Sequence, residues 1–174
     1  DNAAPKVGPI VITEIQYNPS PANTGDEYIE LKNISGETVA LQELASTETS
    51  LGVYQMETVP WRFTDGIEFV FPVNTRIPGG GLLIVARNPA AFTAKYGAMP
   101  VNVQVLGPFA GGSGLSNGGE KVRLSRPGDQ EFGEERYWIR AEQVTIAQFS
   151  QLYGFHGRAF AGAESLDQDP DSLE

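Results

Sequence analysis

The stretch that decides the fold is Ile10-Val-Ile-Thr-Glu-Ile-Gln-Tyr-Asn-Pro19, followed by Asp26-Glu-Tyr-Ile-Glu-Leu-Lys-Asn33. In the second segment, apolar and polar residues alternate as they do in a half-buried strand. In the first segment Ile15 has the opposite parity to Ile10 and Ile12, which predicts a β-bulge or burial of both faces. The chain therefore opens with two strands, each carrying a glutamate among apolar residues.

Short apolar segments separated by turns continue along the chain. Asp65-Gly66 predicts a hairpin turn, and further strands are predicted around residues 38–41, 67–71, 82–86, 101–105, 122–124 and 132–141. One short helix is predicted over residues 89–96, with Asn88 as N-cap, Pro89 at the first position and Gly97 at its end. About eight strands with frequent turns indicate an all-β antiparallel sandwich with one short helix.

Two segments admit two interpretations each. Residues 43–60 are the least patterned, and they fit either a long loop or a ragged edge hairpin. Residues 144–154 fit either a helix or an alternating strand. The alternation elsewhere predicts a buried core made of Ile12, Ile29, Leu31, Leu41, Phe69, Phe71, Leu83, Val85, Val103, Val122 and Leu124.

The composition suits one domain. The chain has 174 residues, of which 40% are hydrophobic, so a sizeable core can form. We expect residues 1–9 to be a linker-like lead-in, residues 10–160 to be the sandwich domain and residues 161–174 to be a disordered tail. That tail carries five acids and no base from Glu164 onward.

Charge and residue content exclude several function classes. The net charge of −10 argues against nucleic-acid partners, because binding to phosphates relies on Lys and Arg. No apolar run approaches the roughly 18 residues that a membrane span needs, so no membrane insertion is expected. The chain has no cysteine, which excludes disulfides and thiolate metal sites. It begins with Asp1, and we expect a mature or excised fragment whose signal peptide is gone.

Several segments, in their order and spacing, resemble the lamin tail domain family. The match runs from about residue 10 to residue 125 and rests on Ile12-Thr-Glu-Ile15, Glu27–Asn33, Val39-Ala-Leu41, Phe69-Val-Phe-Pro72, Ile77-Pro-Gly-Gly-Gly81, the short helix, Leu115-Ser-Asn-Gly-Gly119 and Val122-Arg-Leu124. The resemblance implies an immunoglobulin-like β-sandwich. It also implies a bacterial module of a secreted or cell-surface protein, within a larger multidomain chain. No catalytic residues follow from it.

Four carboxylates are candidates for chemistry. Glu14 and Glu30 suit either a metal or acid–base site, or structural acceptors beside their strands, and we favour the structural role. Asp26 and Glu27 close a loop whose oxygens suit Ca²⁺, but solvated loop acids are the simpler interpretation. We therefore expect no metal and no cofactor.

Catalysis is not expected. His156 is the single histidine, so any Ser-His-Asp triad must use it, and no Gly-x-Ser-x-Gly motif is present. A small hydrolase is the weakest hypothesis, although residue counts alone leave a carboxylate-based glycosidase open.

Recognition is expected on the surface. The candidate ligand-binding residues are Tyr54, Trp61 and Arg62, and Trp138 is a further aromatic candidate. Aromatic side chains offer large contact areas to sugars and proteins. The alternative is that they pack in the core. We predict a non-catalytic extracellular interaction or accessory module that binds a protein or a polysaccharide. The alternative function is a carbohydrate-binding module of a larger secreted hydrolase.

Overall fold

The two glutamate-bearing segments form neighbouring antiparallel strands in a computed structural model that describes residues 8–17, 24–116, 118–146 and 158–160. The strands are β1 (Ile10–Gln16), β2 (Tyr28–Asn33), β3 (Val39–Ala40), β4 (Gln42–Ser50), β5 (Val53–Pro60), β6 (Arg62–Asp65), β7 (Phe69–Val70), β8 (Arg76–Ile77), β9 (Leu82–Ala86), β10 (Gln104–Leu106), β11 (Glu120–Pro127), β12 (Trp138–Ile146) and β13 (Arg158–Phe160). Helix α1 (Pro89–Tyr96) lies between β9 and β10, and Thr24–Asp26 and Ala110–Gly112 form 3-10 turns.

Two main sheets make an all-β, immunoglobulin-like sandwich. One has the order β10-β9-β2-β1-β13, and the other has the order β12-β11-β6-β7. Strands β3 and β8 form a small pair, and β4 and β5 form a separate hairpin. The main-sheet pairs are antiparallel except β9 and β10, which run parallel because α1 provides the crossover connection.

The predicted bulge is present in β1. The pairing register shifts between Ile12 and Glu14, so that Ile12 faces Leu31 while Glu14 faces Glu30. The shift changes the parity of the strand, and Ile15 is consequently buried together with Ile12.

The core lies between the two main sheets. Predicted members that are buried are Ile12, Ile29, Leu31, Leu41, Phe69, Phe71, Leu83, Val85, Val122 and Leu124. Phe63 joins them across the β6–β7 hairpin, where it pairs with Phe69. Gly66 forms the turn of this hairpin with φ +89°, and a Cβ there would lie 2.9 Å from Val122 Cγ2, so only glycine fits.

A second apolar cluster covers the outer face of the five-stranded sheet. Helix α1 begins as predicted: Asn88 accepts hydrogen bonds from the amides of Ala90 and Ala91. It lays Phe92 against Tyr28, with ring centroids 5.1 Å apart in an edge-on arrangement. Among the described residues, no helix has the length and apolar character needed to cross a membrane.

Four predictions about local structure need correction or completion. Val103 was predicted in the core, but it is only half-buried and packs against the second cluster. Val101 is fully exposed in a turn. The strand predicted over residues 101–105 is therefore the shorter strand β10. The late strand starts at Trp138 and not near Phe132. Residues 43–60 form a hairpin with two long regular strands, so the loop interpretation was wrong.

The remaining outcomes concern the end of the chain. The strand interpretation holds for residues 144–146, which belong to β12. The predicted tail 161–174, His156 and most of residues 144–154 lie outside the described residues.

Candidate interaction surface

The hairpin of β4 and β5 is a two-stranded sheet of its own. Threonine in both strands and valine in β5 favour an extended backbone, and Gly52 makes the turn with φ +79°. The register pairs Leu44 with Thr58, Ser46 with Met56 and Glu48 with Tyr54. Cross-strand partners share a face of the ribbon, so these six residues occupy one face, and the residues between them occupy the other.

The other face is held by the segment 128–137, and Arg136 is its anchor. The Arg136 side chain is only 8% exposed. Its guanidinium donates to Gly128 O at 2.8 Å, to Thr47 Oγ1 at 2.6 Å and to Glu57 Oε1 at 2.5 Å. We call the hairpin and the segment 128–137 together the arm.

The edge of β4 is also tied to this segment. Glu48 N donates to Gln130 O at 2.8 Å, and Gln130 N donates to Ser46 O at 2.9 Å. The amides of Gly52 and Phe132 donate hydrogen bonds to the Glu48 carboxylate. These bonds, the one from Gly52 most of all, hold the pKa of Glu48 below its usual value. These contacts give the arm a defined shape.

The face that carries Leu44, Met56 and Tyr54 is open to solvent. These side chains are 69%, 63% and 64% exposed. Of the twelve large hydrophobic residues that are exposed in the described part of the chain, seven belong to the arm: Leu44, Leu51, Val53, Tyr54, Met56, Phe132 and Tyr137. Leu44, Tyr54 and Met56 lie on one face of the hairpin, and exposed apolar residues clustered in this way mark an interaction site, whereas single exposed residues do not.

A cleft opens beside this face, between β4 and the junction of β11 with the segment 128–137. Its volume is about 560 Å³. We call it the acidic groove, because five acids and one base line it together with apolar residues. The lining residues are Glu43, Leu44, Ala45, Arg126, Pro127, Gly128, Asp129, Glu131, Glu134, Glu135, Tyr137 and Ile139.

The three residues predicted to bind a ligand are not brought together. Trp61 is 5% exposed and lies in the main core, so its prediction as a surface residue was wrong. It follows β5 at the point where the chain enters the sandwich, and apolar neighbours cover the ring. Arg62 is half-buried with its guanidinium 4.9 Å from the centre of the Trp138 ring. Tyr54 is exposed, but it lies seven residues from Trp61, roughly 20 Å along an extended chain.

Glu14 and Glu30 face each other across β1 and β2, and hydroxyl groups satisfy them. Tyr28 Oη donates to Glu14 Oε1 at 2.5 Å, and Thr13 Oγ1 donates to Glu30 Oε1 at 2.6 Å. The hydroxyl contacts fit the structural role proposed for both carboxylates.

Asp26 and Glu27 are not solvated loop acids, and that interpretation was wrong. Both are buried, at 6% and 5% exposure. Asp26 pairs with Lys95 at 2.7 Å and Glu27 pairs with Arg87 at 2.8 Å, while Glu27 also accepts from the Leu115 amide. Burial is tolerated because each carboxylate has a cation beside it. Among the described residues, no three His, Asp or Glu side chains form a group that could hold a metal ion.

Sequence reasoning missed most of the arm. Leu44 and Met56 fit an exposed hairpin face, but which face is covered depends on Arg136, about eighty residues further along the chain. A stronger local signal was the acidic run around Glu131, Glu134 and Glu135, which lies directly before Tyr137 and Trp138.

Comparison with known proteins gives one result. The Lamin Tail Domain family model matches residues 3–140, most of the chain. No curated protein and no solved structure gives a significant match.

Proposed function

The chain belongs to the lamin tail domain family, and from this premise and the geometry of the arm we propose that it is a non-catalytic module that binds another protein. In this proposal it works outside the cell, at the surface or in a secreted multidomain protein. The sandwich is the rigid scaffold and the arm is the recognition element.

The observation that carries the proposal is the concentration of exposed apolar side chains on the arm. Seven of the twelve large hydrophobic residues that are exposed in the described part of the chain lie there. An exposed apolar patch with a polar rim is typical of protein interfaces. Tyr54 and Tyr137 supply the aromatic area that hot spots favour.

The alternative, a carbohydrate-binding module, has less support. Sugar recognition relies on exposed aromatic rings that stack on the pyranose faces. Trp61 is buried, and Trp138 is half-buried with the Arg62 guanidinium against its ring. This alternative retains the exposed aromatic rings of the arm, which are Tyr54, Phe132 and Tyr137.

The experiment compares two folded double variants. Tyr54→Ser with Met56→Ser removes apolar area from the arm, and Val70→Ser with Val73→Ser removes exposed apolar area from the sandwich. All three proteins are immobilised and screened against an array of extracellular proteins and a polysaccharide panel. We expect protein ligands of the wild type to be retained by the Val70/Val73 variant and lost by the Tyr54/Met56 variant. Ligands that the Tyr54/Met56 variant keeps contradict the assignment of the arm, and binding confined to polysaccharides supports the alternative.

A further inference from the structure

The acidic groove has an open strand edge on one wall. Within an antiparallel strand, the N–H and C=O of one residue point to the same side, and the side alternates along the chain. Ser46 and Glu48 point their backbone groups toward Gln130. Leu44 has the same parity, so its N–H and C=O point to that side too, into the groove that its side chain helps to line. Their parity in the register with β5 points them away from that strand, and no hydrogen bond from a turn, a loop or a side chain of the described residues reaches them.

Edges of this kind are sites where another chain can add a strand. Gln130 already pairs with the edge of β4 beside residues 46 and 48. Leu44 is the next residue of β4 whose backbone groups point to the same side. The groove volume of about 560 Å³ falls within the range of ligand pockets. It has room for a short extended segment and one long side chain.

The charge of the acidic groove favours a cationic ligand. Arg126 is the one base in the lining, and Glu43 pairs with it at 3.4 Å. Glu131, Glu134 and Glu135 are exposed and form no ion pair with any described residue. An anionic ligand is repelled here, and so is the same groove of a second copy, because like charges would face each other.

The apolar lining suits the stem of a basic side chain. Leu44 and Tyr137 are each 69% exposed at the groove, and Ile139 is half-buried there. The methylene groups of lysine and arginine pack on such surfaces while their charged ends reach acids beyond. A tyrosine face adds attraction for the cation.

We propose that the acidic groove binds an extended, basic segment of a partner protein. The segment pairs its backbone with the N–H and C=O of Leu44 and places a lysine or arginine beside Glu134 and Glu135. This inference rests on the proposed function, in which the arm is a protein-binding surface, and it defines the chemistry of the partner.

The test uses the full chain and three blocked five-residue peptides. The first alternates valine and lysine, the second alternates valine and glutamate, and the third is the lysine peptide with N-methylated central amides. Titration followed by amide chemical shifts should show the lysine peptide binding with shifts centred on Leu44, Glu134 and Tyr137. The glutamate peptide should not bind, and N-methylation should abolish binding because it removes the backbone donors. Equal binding of the methylated peptide overturns the strand pairing, and binding of the glutamate peptide overturns the charge selection.

Protein variants complete the test. Glu134→Gln with Glu135→Gln should weaken binding of the lysine peptide about fivefold, the order expected for two exposed charge pairs. Glu37→Gln with Glu68→Gln makes the same change in net charge at exposed sites outside the groove, and it should leave the affinity unchanged. Equal weakening by both variants overturns the groove as the site. Should no peptide bind while the Tyr54/Met56 variant still loses its protein ligands, the inference fails and the proposed function stands.

Discussion

Glu27 Oε1 lies 2.8 Å from Arg87 Nη1, and this ion pair joins the start of β2 to the end of β9. The other oxygen, Glu27 Oε2, accepts from the Leu115 amide at 2.8 Å. Glu27 O also accepts from the Arg87 amide. One carboxylate, with a side chain only 6% exposed, thus fixes three segments that are distant in sequence.

Glu27→Ala should lower the free energy of unfolding by about 1.5–3 kcal/mol, because the Leu115 amide and the Arg87 guanidinium each lose a mostly buried acceptor. Urea unfolding measures the change. Asp65→Ala is the matched control, since it removes an exposed partner of Arg123 at 3.2 Å and should cost about 0–1 kcal/mol. Equal losses for the two variants would show that Glu27 is not an anchor.

Lys95 makes a pH-dependent contribution. The hydrogen bond to Asp26 is the main reason that the pKa of Lys95 is raised above its usual value. A raised lysine pKa stabilises the fold fully below the unfolded-state pKa of about 10.4, and the stabilisation disappears as pH rises through the folded-state pKa. The stability difference between wild type and Lys95→Met should therefore be constant from neutral pH to about pH 9.5 and shrink above about pH 10.4.

Urea unfolding of both proteins across this pH range checks the expectation. Titrating groups remote from residue 95 are common to both proteins, so their effect largely cancels in the difference. A difference that persists unchanged at strongly alkaline pH would rule out the Asp26–Lys95 pair as its source.

Leu31 and Leu44 provide a matched pair for the core and the arm. Leu31 is 0% exposed between the sheets, so Leu31→Ala should cost about 2–5 kcal/mol through lost burial and a cavity. Leu44 is 69% exposed, and Leu44→Ala should change stability by less than about 0.5 kcal/mol. Denaturant unfolding compares them directly. A loss above about 1 kcal/mol for Leu44→Ala would place that side chain in the packed interior.

The parts of the fold that the sequence predicts are those that local chemistry decides. The alternation in β2, the parity change at Ile15 and the cap at Asn88 each depend on residues within a few positions. Local steric and hydrogen-bonding rules fix such features almost independently of the rest of the chain.

The features that were missed depend on distant partners. Asp26 and Glu27 look like solvated acids until Lys95 and Arg87 are brought beside them by the packing of α1 and β9. Trp61 lies next to a polar hairpin in sequence but turns into the core in space. For the same reason, Tyr54 is the one of the three predicted ligand-binding residues that lies on the exposed face of the arm.

Arg136 should control the stability of the arm separately from that of the sandwich. Its side chain links the segment 128–137 to β4 and β5 through bonds to Gly128 O, Thr47 Oγ1 and Glu57 Oε1. Arg136→Met keeps much of the stem but removes these charge-assisted bonds, each of which contributes about 1.5–3 kcal/mol in favourable settings. The arm should then open locally while the main sheets stay closed.

Native-state hydrogen exchange measures this opening. The amides of Glu48 and Gln130, which bond the arm together, should exchange at least about tenfold faster in Arg136→Met, whereas amides at the centre of β2 should keep their rates. Arg126→Met is the control, because it removes an exposed pair with Glu43 at 3.4 Å and should leave the Glu48 amide nearly unchanged. If both variants accelerate Glu48 equally, Arg136 does not anchor the arm. If Arg136→Met accelerates β2 as much as Glu48, the arm and the sandwich unfold as one unit, because the hairpin then has no independent opening reaction.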